Sequence, residues 1–332
     1  PFRLTIDEDG QLVVAQYSIL DRIRVVREAP LPATCTLVEA GLSGTVTCTL
    51  SDDNMFKEYT GGVKHGKPHG PGTLTCRNGH VCRAVFEHGQ MSGEATVSFA
   101  AGDQRKEYIG AVNNCGVLHG PGVLTYRDGM VYDGMFENGQ ANGAMTITYA
   151  AGSKRKEYKG TVKNDRAHGR GVLTYKDGEV HDGFFENDEG NGAMTITYAA
   201  GNRQRGYKGT MEHGRIHGHG VLILRSGTVW DGMFENGLAN GAVTITYAAG
   251  DPRKDYKSLI KHGKRHGHGV LSLKNGEVYD GMFENDLANG AMTVTYAAGD
   301  PRKDYKGMMK DSKANGHGVL SLKNGEVYDG MF

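Results

Sequence analysis

The sequence predicts an all-β protein: an elongated single-layer antiparallel β-meander, a ribbon of repeated β-hairpins that is twisted and curved and carries an aromatic groove. Three observations predict this fold. Apolar and polar residues alternate with a period of two, which is typical of strands. Pairs such as Asn78-Gly79 and Asp128-Gly129 supply the positive φ angles of tight hairpin turns. A tyrosine also recurs every 49 or 50 residues, at Tyr59, Tyr108, Tyr158, Tyr207, Tyr256 and Tyr305.

Each block divides into two units, so the period of 49 is the sum of 23 and 26. The first half reads "YKGTVKNDRAHGRGVLTYKDGEV" (158–180), and the second reads "HDGFFENDEGNGAMTITYAAGNRQRG" (181–206). The pattern fades towards the start of the chain. We therefore expect residues 1–32 to be a degenerate N-terminal cap, an eroded repeat, and residues 33–332 to be a continuous array. The array stops at Phe332 in mid-repeat, and we expect the natural repeat to continue.

One face of the predicted strands is aromatic, and the other carries Lys, Thr, Asp and Glu. In the unit that begins at residue 181, His181, Phe185 and Tyr198 share the aromatic face with Gly183. Because glycine has no side chain, we expect a ring from the adjoining strand to lie flat on its backbone. The aromatic face is the predicted partner-binding groove. Its candidate residues are Tyr158, Phe185, Tyr198, Tyr207, Trp230, Phe234, Tyr247, Tyr256, Tyr279, Phe283 and Tyr296.

A histidine recurs once per block, at His69, His119, His168, His217 and His266. Equivalent positions are four strands apart, which is ~19 Å in a sheet, too far for them to share a metal ion. We interpret these histidines as structural residues of turns; the alternative is a pH sensor, because histidine titrates near neutral pH. The five cysteines form no C-x-x-C pair, which disfavours a structural zinc site and a disulfide framework and favours a reducing compartment. No metal or cofactor is therefore predicted.

A basic pair recurs in the longer "AAG" loops and so along one predicted edge of the ribbon. As a functional feature, it would form a row of contacts for an acidic partner. The alternative is a solvated loop whose charge is balanced by the neighbouring Glu107, Glu157, Asp255 and Asp304. The basic-edge candidates are Arg105, Lys106, Arg155, Lys156, Arg253, Lys254, Arg302 and Lys303.

Charge and motif content exclude several function classes. Lys and Arg balance Asp and Glu at 38 each, so the chain has no general attraction to nucleic acid. Positive and negative bands alternate along the polar face, which disfavours binding to an anionic membrane. The sequence contains no G-x-x-x-x-G-K-[ST], G-x-S-x-G or H-E-x-x-H motif. We therefore expect neither an enzyme nor a nucleic-acid-binding protein.

The pattern Y-x-G-x(4)-G-x-x-H-G-x-G occurs in "YTGGVKHGKPHGPG" (59–72) and "YKGTMEHGRIHGHG" (207–220). This pattern resembles the MORN (membrane occupation and recognition nexus) repeat. In alternate units "NG" replaces "HG", as at 142–143 and 240–241, a change that we expect a hairpin tip to accept. We likewise expect Asn289-Gly290 to turn a tip.

The resemblance implies a non-enzymatic scaffold and protein-interaction module of a eukaryotic cytoskeletal assembly, axonemal (in a cilium or flagellum) or cortical. It implies a cytoplasmic, cytoskeleton-associated location, with helical or extended partner segments in the groove. Tubulin and axonemal or other cytoskeletal proteins are the expected partners, and a homodimer is a further expectation. The alternatives are a membrane-junction or phospholipid-binding adaptor and the targeting arm of a larger enzyme; membrane lipid is the less favoured partner.

Overall fold

Antiparallel strands follow one another along the part of the chain that the structure describes. The computed structural model describes residues 2–6, 12–16, 35–37, 45–49, 56–64, 67–113 and 116–332. These ranges contain no helix, and hence none that is long and apolar enough to cross a membrane. Much of the predicted N-terminal cap, residues 1–32, lies outside them. The chain divides into two units, Pro1–Ala167 and His168–Phe332, and each is described by itself.

The first unit contains a separate strand pair and an antiparallel meander. Strand β1 (Phe2–Ile6) pairs only with β2 (Leu12–Gln16) among the strands described. In the meander each strand pairs with the next one in sequence. Its strands are β3 (Cys35–Leu37), β4 (Thr45–Thr49), β5 (Phe56–Lys64), β6 (Lys67–Cys76), β7 (Val81–Glu87), β8 (Gln90–Ser98), β9 (Arg105–Val112), β10 (Leu118–Tyr126), β11 (Val131–Glu137), β12 (Gln140–Thr148) and β13 (Arg155–Lys163).

The second unit repeats the same meander. Its first strand, β14 (Arg166–Tyr175), begins just before the division and pairs with β15 (Val180–Glu186). The strands that follow are β16 (Glu189–Thr197), β17 (Gln204–Glu212), β18 (Arg215–Leu224), β19 (Val229–Glu235), β20 (Leu238–Thr246), β21 (Arg253–Lys261), β22 (Lys264–Leu273), β23 (Val278–Glu284), β24 (Leu287–Thr295), β25 (Arg302–Lys310), β26 (Lys313–Leu322) and β27 (Val327–Met331). The antiparallel sheet is not closed. The predicted all-β hairpin meander is confirmed.

The two edges of the meander carry different turns. At the tip edge, two-residue turns have positive φ at both residues, as at Asn138 (51°) and Gly139 (86°). This is the pattern of type I′ hairpin turns. At the loop edge, Asn-Gly or Asp-Gly turns alternate with the longer "AAG" loops. Gly129 has a φ of 90°, and Met130 N donates to Asp128 Oδ1 at 2.9 Å. The Asn-Gly and Asp-Gly turns are therefore hairpin turns, as predicted.

The Asn-Gly pairs at 142–143, 240–241 and 289–290 do not turn tips, and that prediction was wrong. They lie inside β12, β20 and β24, because the segments that precede these strands, such as 137–139, already form the tips. The φ of Gly143 is 112°, and the pairing of β11 with β12 shifts register between Gly134 and Phe136. Glycine is thus required here by a β-bulge rather than by a turn.

The recurring histidines also lie in strands, so their interpretation as turn residues was wrong. His217 belongs to β18 and stands one residue before Gly218, whose φ is 74°. The register of β17 with β18 shifts between Gly209 and Met211, opposite this segment. The "HG" pair is therefore the bulge of the first-half hairpin, as "NG" is the bulge of the second.

Large rings on one face of the sheet form the interior. The ring of Tyr207 lies over Gly209 and Gly220, so close that a Cβ added to either glycine would stand 2.4 Å from Tyr207 Oη. The hydroxyl donates to Thr210 O at 2.7 Å, and the ring meets Phe234 edge to face with centroids 5.9 Å apart. The same Tyr–Phe contact recurs at Tyr59–Phe86, Tyr108–Phe136, Tyr256–Phe283 and Tyr305–Phe332. Rings do lie on glycine, both on the ring's own strand, as at Gly209, and from the adjoining strand, as predicted, at Gly220. At Gly183 the prediction was wrong, because the nearest atoms are those of Ala193 and Met194.

Candidate partner-binding surface

Burial separates the predicted groove residues into two groups. Six of the rings belong to the interior, where they are between 0% and 4% exposed and present no surface to a partner: Tyr158, Phe185, Tyr207, Phe234, Tyr256 and Phe283. The rings of Tyr207 and Tyr256 lie on glycine backbone, and Phe234 and Phe283 fill the space beside them. The prediction that these six rings contact a partner is corrected accordingly.

The other five rings are half-buried and lie towards the loop edge. They are Tyr198, Trp230, Tyr247, Tyr279 and Tyr296. Tyr175 and His181 extend this set, with ring centroids 5.2 Å apart. We call these seven residues of the second unit the aromatic row. In the first unit Tyr126, Tyr132 and Tyr149 are half-buried at equivalent positions.

The sequence signal for Tyr126 and Tyr175 was overlooked. Both end a first-half strand at a position where later copies have leucine, as in Leu224 and Leu273. The alternation of residues places them on the same face as the interior tyrosines. A count of aromatic residues at this position would therefore have found them.

Arginines stack on the rings at the loop edge. The guanidinium carbon of Arg253 lies 4.0 Å from the centroid of Tyr247, and Nη2 lies 2.7 Å from Asp251 Oδ2. This hydrogen bond lowers the pKa of Asp251 to about 2. Arg302 repeats the arrangement with Tyr296 and Asp300, and Arg105 repeats it with Phe99 and Asp103. A flat guanidinium held on a ring by a carboxylate gives the row a rigid polar border.

The basic pairs therefore differ from the prediction in two respects. Arg105, Arg155, Arg253 and Arg302 are the first residues of β9, β13, β21 and β25 rather than parts of the loops. The carboxylates that bind Arg105, Arg253 and Arg302 precede them by two residues, whereas the predicted ones follow by two. In the loop before Arg155, Ser153 takes the place of the aspartate and accepts a hydrogen bond from Arg155 N. The accompanying lysines are exposed: Lys106, Lys156, Lys254 and Lys303.

A second set of basic residues, which the sequence analysis missed, holds the "AAG" loops in place. Arg225 donates from Nε to Asn202 O and from Nη2 to Ala199 O, each at 2.7 Å. Lys274 and Lys323 bind the equivalent carbonyls through Nζ, and Arg127 does so in the first unit. The signal was a Lys or Arg directly after each first-half strand. These loop-clamping residues fix the loops that begin with Tyr198, Tyr247 and Tyr296.

The tyrosine hydroxyls of the row remain protonated well above neutral pH. Burial raises the pKa of Tyr198 and of Tyr279 to about 12. Tyr279 Oη donates to Glu277 Oε1 at 3.0 Å, and His181 Nε2 lies 2.7 Å from Glu179 Oε1. Trp230 has threonine, Thr228, at the position of these glutamates, and its Nε1 is buried without a hydrogen-bond partner. The row therefore presents apolar ring faces together with hydroxyl, imidazole and indole N–H groups.

The side chains that the structure describes include histidines, carboxylates and the thiols of Cys76 and Cys82. Among them, no group of three or more His, Cys, Asp or Glu could hold a metal ion. Cys76 and Cys82 are free, and burial raises the pKa of Cys82 to about 11. Its Sγ lies 3.7 Å from Met91 Sδ in the interior. A thiol with a raised pKa is a weak nucleophile at neutral pH.

Repeated hairpins that present similar rings in block after block define the class of this molecule, a β-repeat protein-interaction module. A family model described as MORN repeat matches residues 59–81, 114–131, 132–153, 158–180, 207–229, 256–278 and 305–327. The chain belongs to the MORN-repeat family, as the motif resemblance predicted. Repeats of this family are in general non-catalytic.

Other comparisons add little. Among solved structures, the chain is similar to the SAS-4 (dCPAP) TCP domain of Drosophila melanogaster, whose structure holds a proline-rich motif of Ana2 (dSTIL). That similarity has 10% sequence identity and a TM-score of 0.14, and it covers 93% of this chain and 99% of that chain. At this TM-score the likeness carries no argument about function. No curated protein matches the chain.

Proposed function

We propose that the array is a non-enzymatic scaffold that holds a partner protein along its aromatic row. The observation that carries this proposal is the row itself: seven half-buried rings on one face, several with a hydroxyl, imidazole or indole N–H group, bordered by stacked arginines. Aromatic side chains and arginine are the residues most enriched at the energetically dominant positions of protein interfaces. A helical or extended segment that packs on the rings would bury their remaining surface.

The cellular setting that we propose is a cytoskeletal assembly, axonemal or cortical, in the cytoplasm of a eukaryote. Family membership supports this setting in general terms, and tubulin is the first partner to test. The loop edge supports a protein rather than an anionic lipid surface. Arg105, Arg253 and Arg302 are each neutralised by an aspartate, which leaves one exposed lysine per loop. An anionic membrane would favour a denser positive charge.

The test compares the full chain with an aromatic-row variant, Tyr198→Ser/Tyr247→Ser/Tyr296→Ser. Both are immobilised and exposed to polymerised microtubules and, separately, to a salt-extracted axonemal or cortical fraction. We expect the wild-type chain to retain tubulin or a discrete cytoskeletal protein and the variant to lose at least nine-tenths of it. A photo-crosslinker at position 247 then identifies the retained protein.

The control replaces two exposed leucines beside the tip-edge turns, Leu238→Ser/Leu287→Ser, which belong neither to the aromatic row nor to the opposite face's apolar side chains. This variant must keep its binding, and circular dichroism must show that both variants are folded. Equal loss of binding in both variants would reject the aromatic row as the site. Failure of the wild-type chain to retain any cytoskeletal component would reject the cytoskeletal setting.

A further inference from the structure

The face opposite the aromatic row carries an exposed apolar stripe. Its members stand on alternate strands, β19, β21, β23, β25 and β27, and on the first four of these strands they point away from the buried ring. They are between 39% and 79% exposed, which is unusual for a contiguous set of large apolar side chains. We call these residues the outer stripe: Met233, Leu259, Met282, Met308 and Met331.

Glycine lies between successive members of the outer stripe. On β20, β22 and β24 the bulge residues Gly241, Gly267 and Gly290 stand beside the stripe. A Cβ added to Gly241 would lie 3.2 Å from Met233 Cβ, and one added to Gly290 would lie 3.0 Å from Met282 Cβ. The residue after each of these glycines is exposed on the same face: Ala242, His268 and Ala291, with His268 opposite Met282. The stripe is therefore a row of large apolar projections whose gaps carry glycine and alanine on β20 and β24 and glycine and histidine on β22. Successive projections are two strands apart, or ~9.6 Å.

Charged residues border the outer stripe on both sides, and the two flanking charges on any one strand have the same sign. On β19, Asp231 and Glu235 flank Met233, and all three are exposed. On β21, Lys257 and Lys261 flank Leu259 in the same way. Strands β23 and β25 repeat the acidic and the basic pattern, with Asp280 and Glu284 and then Lys306 and Lys310. The stripe thus crosses alternating negative and positive bands.

We propose that the outer stripe binds one amphipathic α-helix of a partner protein, laid along the stripe, whose flanking charges change sign with every heptad. The two charges on one strand, such as Asp231 and Glu235, are four residues apart, or ~13 Å. That separation accommodates the 10–12 Å diameter of a helix. Seven helical residues advance ~10.5 Å, close to the ~9.6 Å between projections, so one apolar residue per heptad enters each gap.

Charge and spacing favour this occupant over others. An extended strand presents the same face every ~6.6 Å, which falls out of step with the projections after one repeat. An anionic bilayer would be repelled by the acidic bands on β19 and β23. Opposite the acidic strands β19 and β23, the helix has Lys or Arg on both flanks. Opposite the basic strands β21 and β25, it has Glu on both flanks. This surface goes beyond the proposed function, because it lies on the other face of the sheet.

The experiment uses two designed 28-residue helical peptides of identical composition. In the matched peptide, both flanks are Lys in the first and third heptads and Glu in the second and fourth. In the mixed peptide every heptad has one Lys and one Glu flank, so each band meets one attractive and one repulsive charge. Binding to the full chain is measured by fluorescence anisotropy at low salt. We expect the matched peptide to bind at least tenfold more tightly, with the difference shrinking as salt rises.

Variants of the chain locate the binding. Leu259→Ser/Met282→Ser/Met308→Ser should weaken binding of the matched peptide at least tenfold. The control, Leu238→Ser/Leu287→Ser, removes two similarly exposed leucines beside the tip-edge turns and should leave binding unchanged. Lys257→Glu/Lys261→Glu/Lys306→Glu/Lys310→Glu makes the bands uniformly acidic and should transfer the preference to a peptide with Lys on every flank.

Each of three results would overturn the proposal. Equal affinity for the two peptides would show that the charge bands do not select a helix. Equal weakening by the leucine control would show that binding is not specific to the outer stripe. A wild-type dimer in analytical ultracentrifugation that becomes a monomer in the serine variant would show that the stripe is covered by a second copy of the chain. Failure of the wild-type chain to retain any cytoskeletal protein, together with intact binding of the matched peptide, would reject the proposed function alone.

Discussion

Gly220→Ala tests whether the interior depends on rings that lie directly on glycine backbone. A Cβ at this position would stand 2.4 Å from Tyr207 Oη, 2.5 Å from Cε2 and 2.6 Å from Cζ. Contacts this short require the ring to move. Tyr207 is only 2% exposed and packs against Phe234, so movement in either direction disturbs a filled interior.

The expected magnitude follows from what the ring must give up. Overpacking of a filled interior costs about 1–3 kcal/mol. Displacement of the ring also removes the hydrogen bond from Tyr207 Oη to Thr210 O, which contributes about 0.5–1.5 kcal/mol. We therefore expect Gly220→Ala to lower the free energy of unfolding by about 2–4 kcal/mol.

Urea unfolding followed by tryptophan fluorescence measures this effect locally. Trp230 is the single tryptophan of the chain, and it lies on β19, the strand whose Gly232 pairs with Gly220. A local probe is needed because repeat arrays unfold unit by unit. Gly250→Ala is the matched control, since a Cβ there meets no atom within 4 Å. We expect the control to change stability by less than about 0.5 kcal/mol.

A double-mutant cycle identifies the cause. If the collision with the ring is responsible, Gly220→Ala should cost much less in a Tyr207→Leu background, because the ring is then absent. An unchanged cost in that background, or an equal cost for Gly220→Ala and Gly250→Ala, would refute the role assigned to the glycine.

Three further predictions concern the loop clamp, the tryptophan and the tyrosine hydroxyls. Arg225→Ala should speed amide hydrogen exchange in residues 198–203, whereas Arg225→Lys should keep protection near wild type, because Lys274 holds the equivalent loop; equal exchange in both variants would contradict the clamp. Thr228→Glu should raise the free energy of unfolding by about 1 kcal/mol, because the carboxylate gives Trp230 Nε1 a hydrogen-bond acceptor. Urea midpoints of this variant and of Thr228→Gln measure the gain, and no gain from either variant would show that the unpaired Nε1 does not cost stability. Because the tyrosine pKa values are raised from 10 to about 12 on folding, they contribute stability below pH 10 that should be lost between pH 10 and 12. Ultraviolet titration of the native and the urea-unfolded chain measures the difference, and coincident titration curves would exclude the raised pKa values. The tyrosines with a pKa of about 12 include Tyr108, Tyr207 and Tyr256.

The repeat made the fold predictable, because period-two alternation and positive-φ pairs are local signals that recur in every block. Tip positions were harder to assign. Asn289-Gly290 and Asn275-Gly276 have the same composition, yet only the second forms a hairpin turn. The first lies in a bulge because Asn285-Asp286, both with positive φ, already turns the chain. Two adjacent turn signals compete, and composition alone does not decide between them.

The candidate site was predicted in part. Alternation correctly placed the aromatic residues on one face, but it did not distinguish Tyr256, which is buried, from Tyr279, which is half-buried. Leu271 is opposite both rings, so the difference depends on which ring lies on glycine. Tyr256 lies over Gly269, whereas Gly281, two residues after Tyr279, is covered by Ala291 and Met292 rather than by the ring. Pairing between strands is a long-range property, so burial required the register.

The separation of the two faces has an evolutionary consequence. The position three residues after each first-half tyrosine changes along the chain, from Gly62 and Ala111 through two threonines to Leu259 and Met308. The rings on the other face stay nearly constant. A substitution on the outer face does not touch the packed rings, so selection can rewrite it one block at a time while folding is preserved. A single array of this kind can acquire new partners by drift along its length, without the loss of stability that new binding sites usually impose on a globular domain.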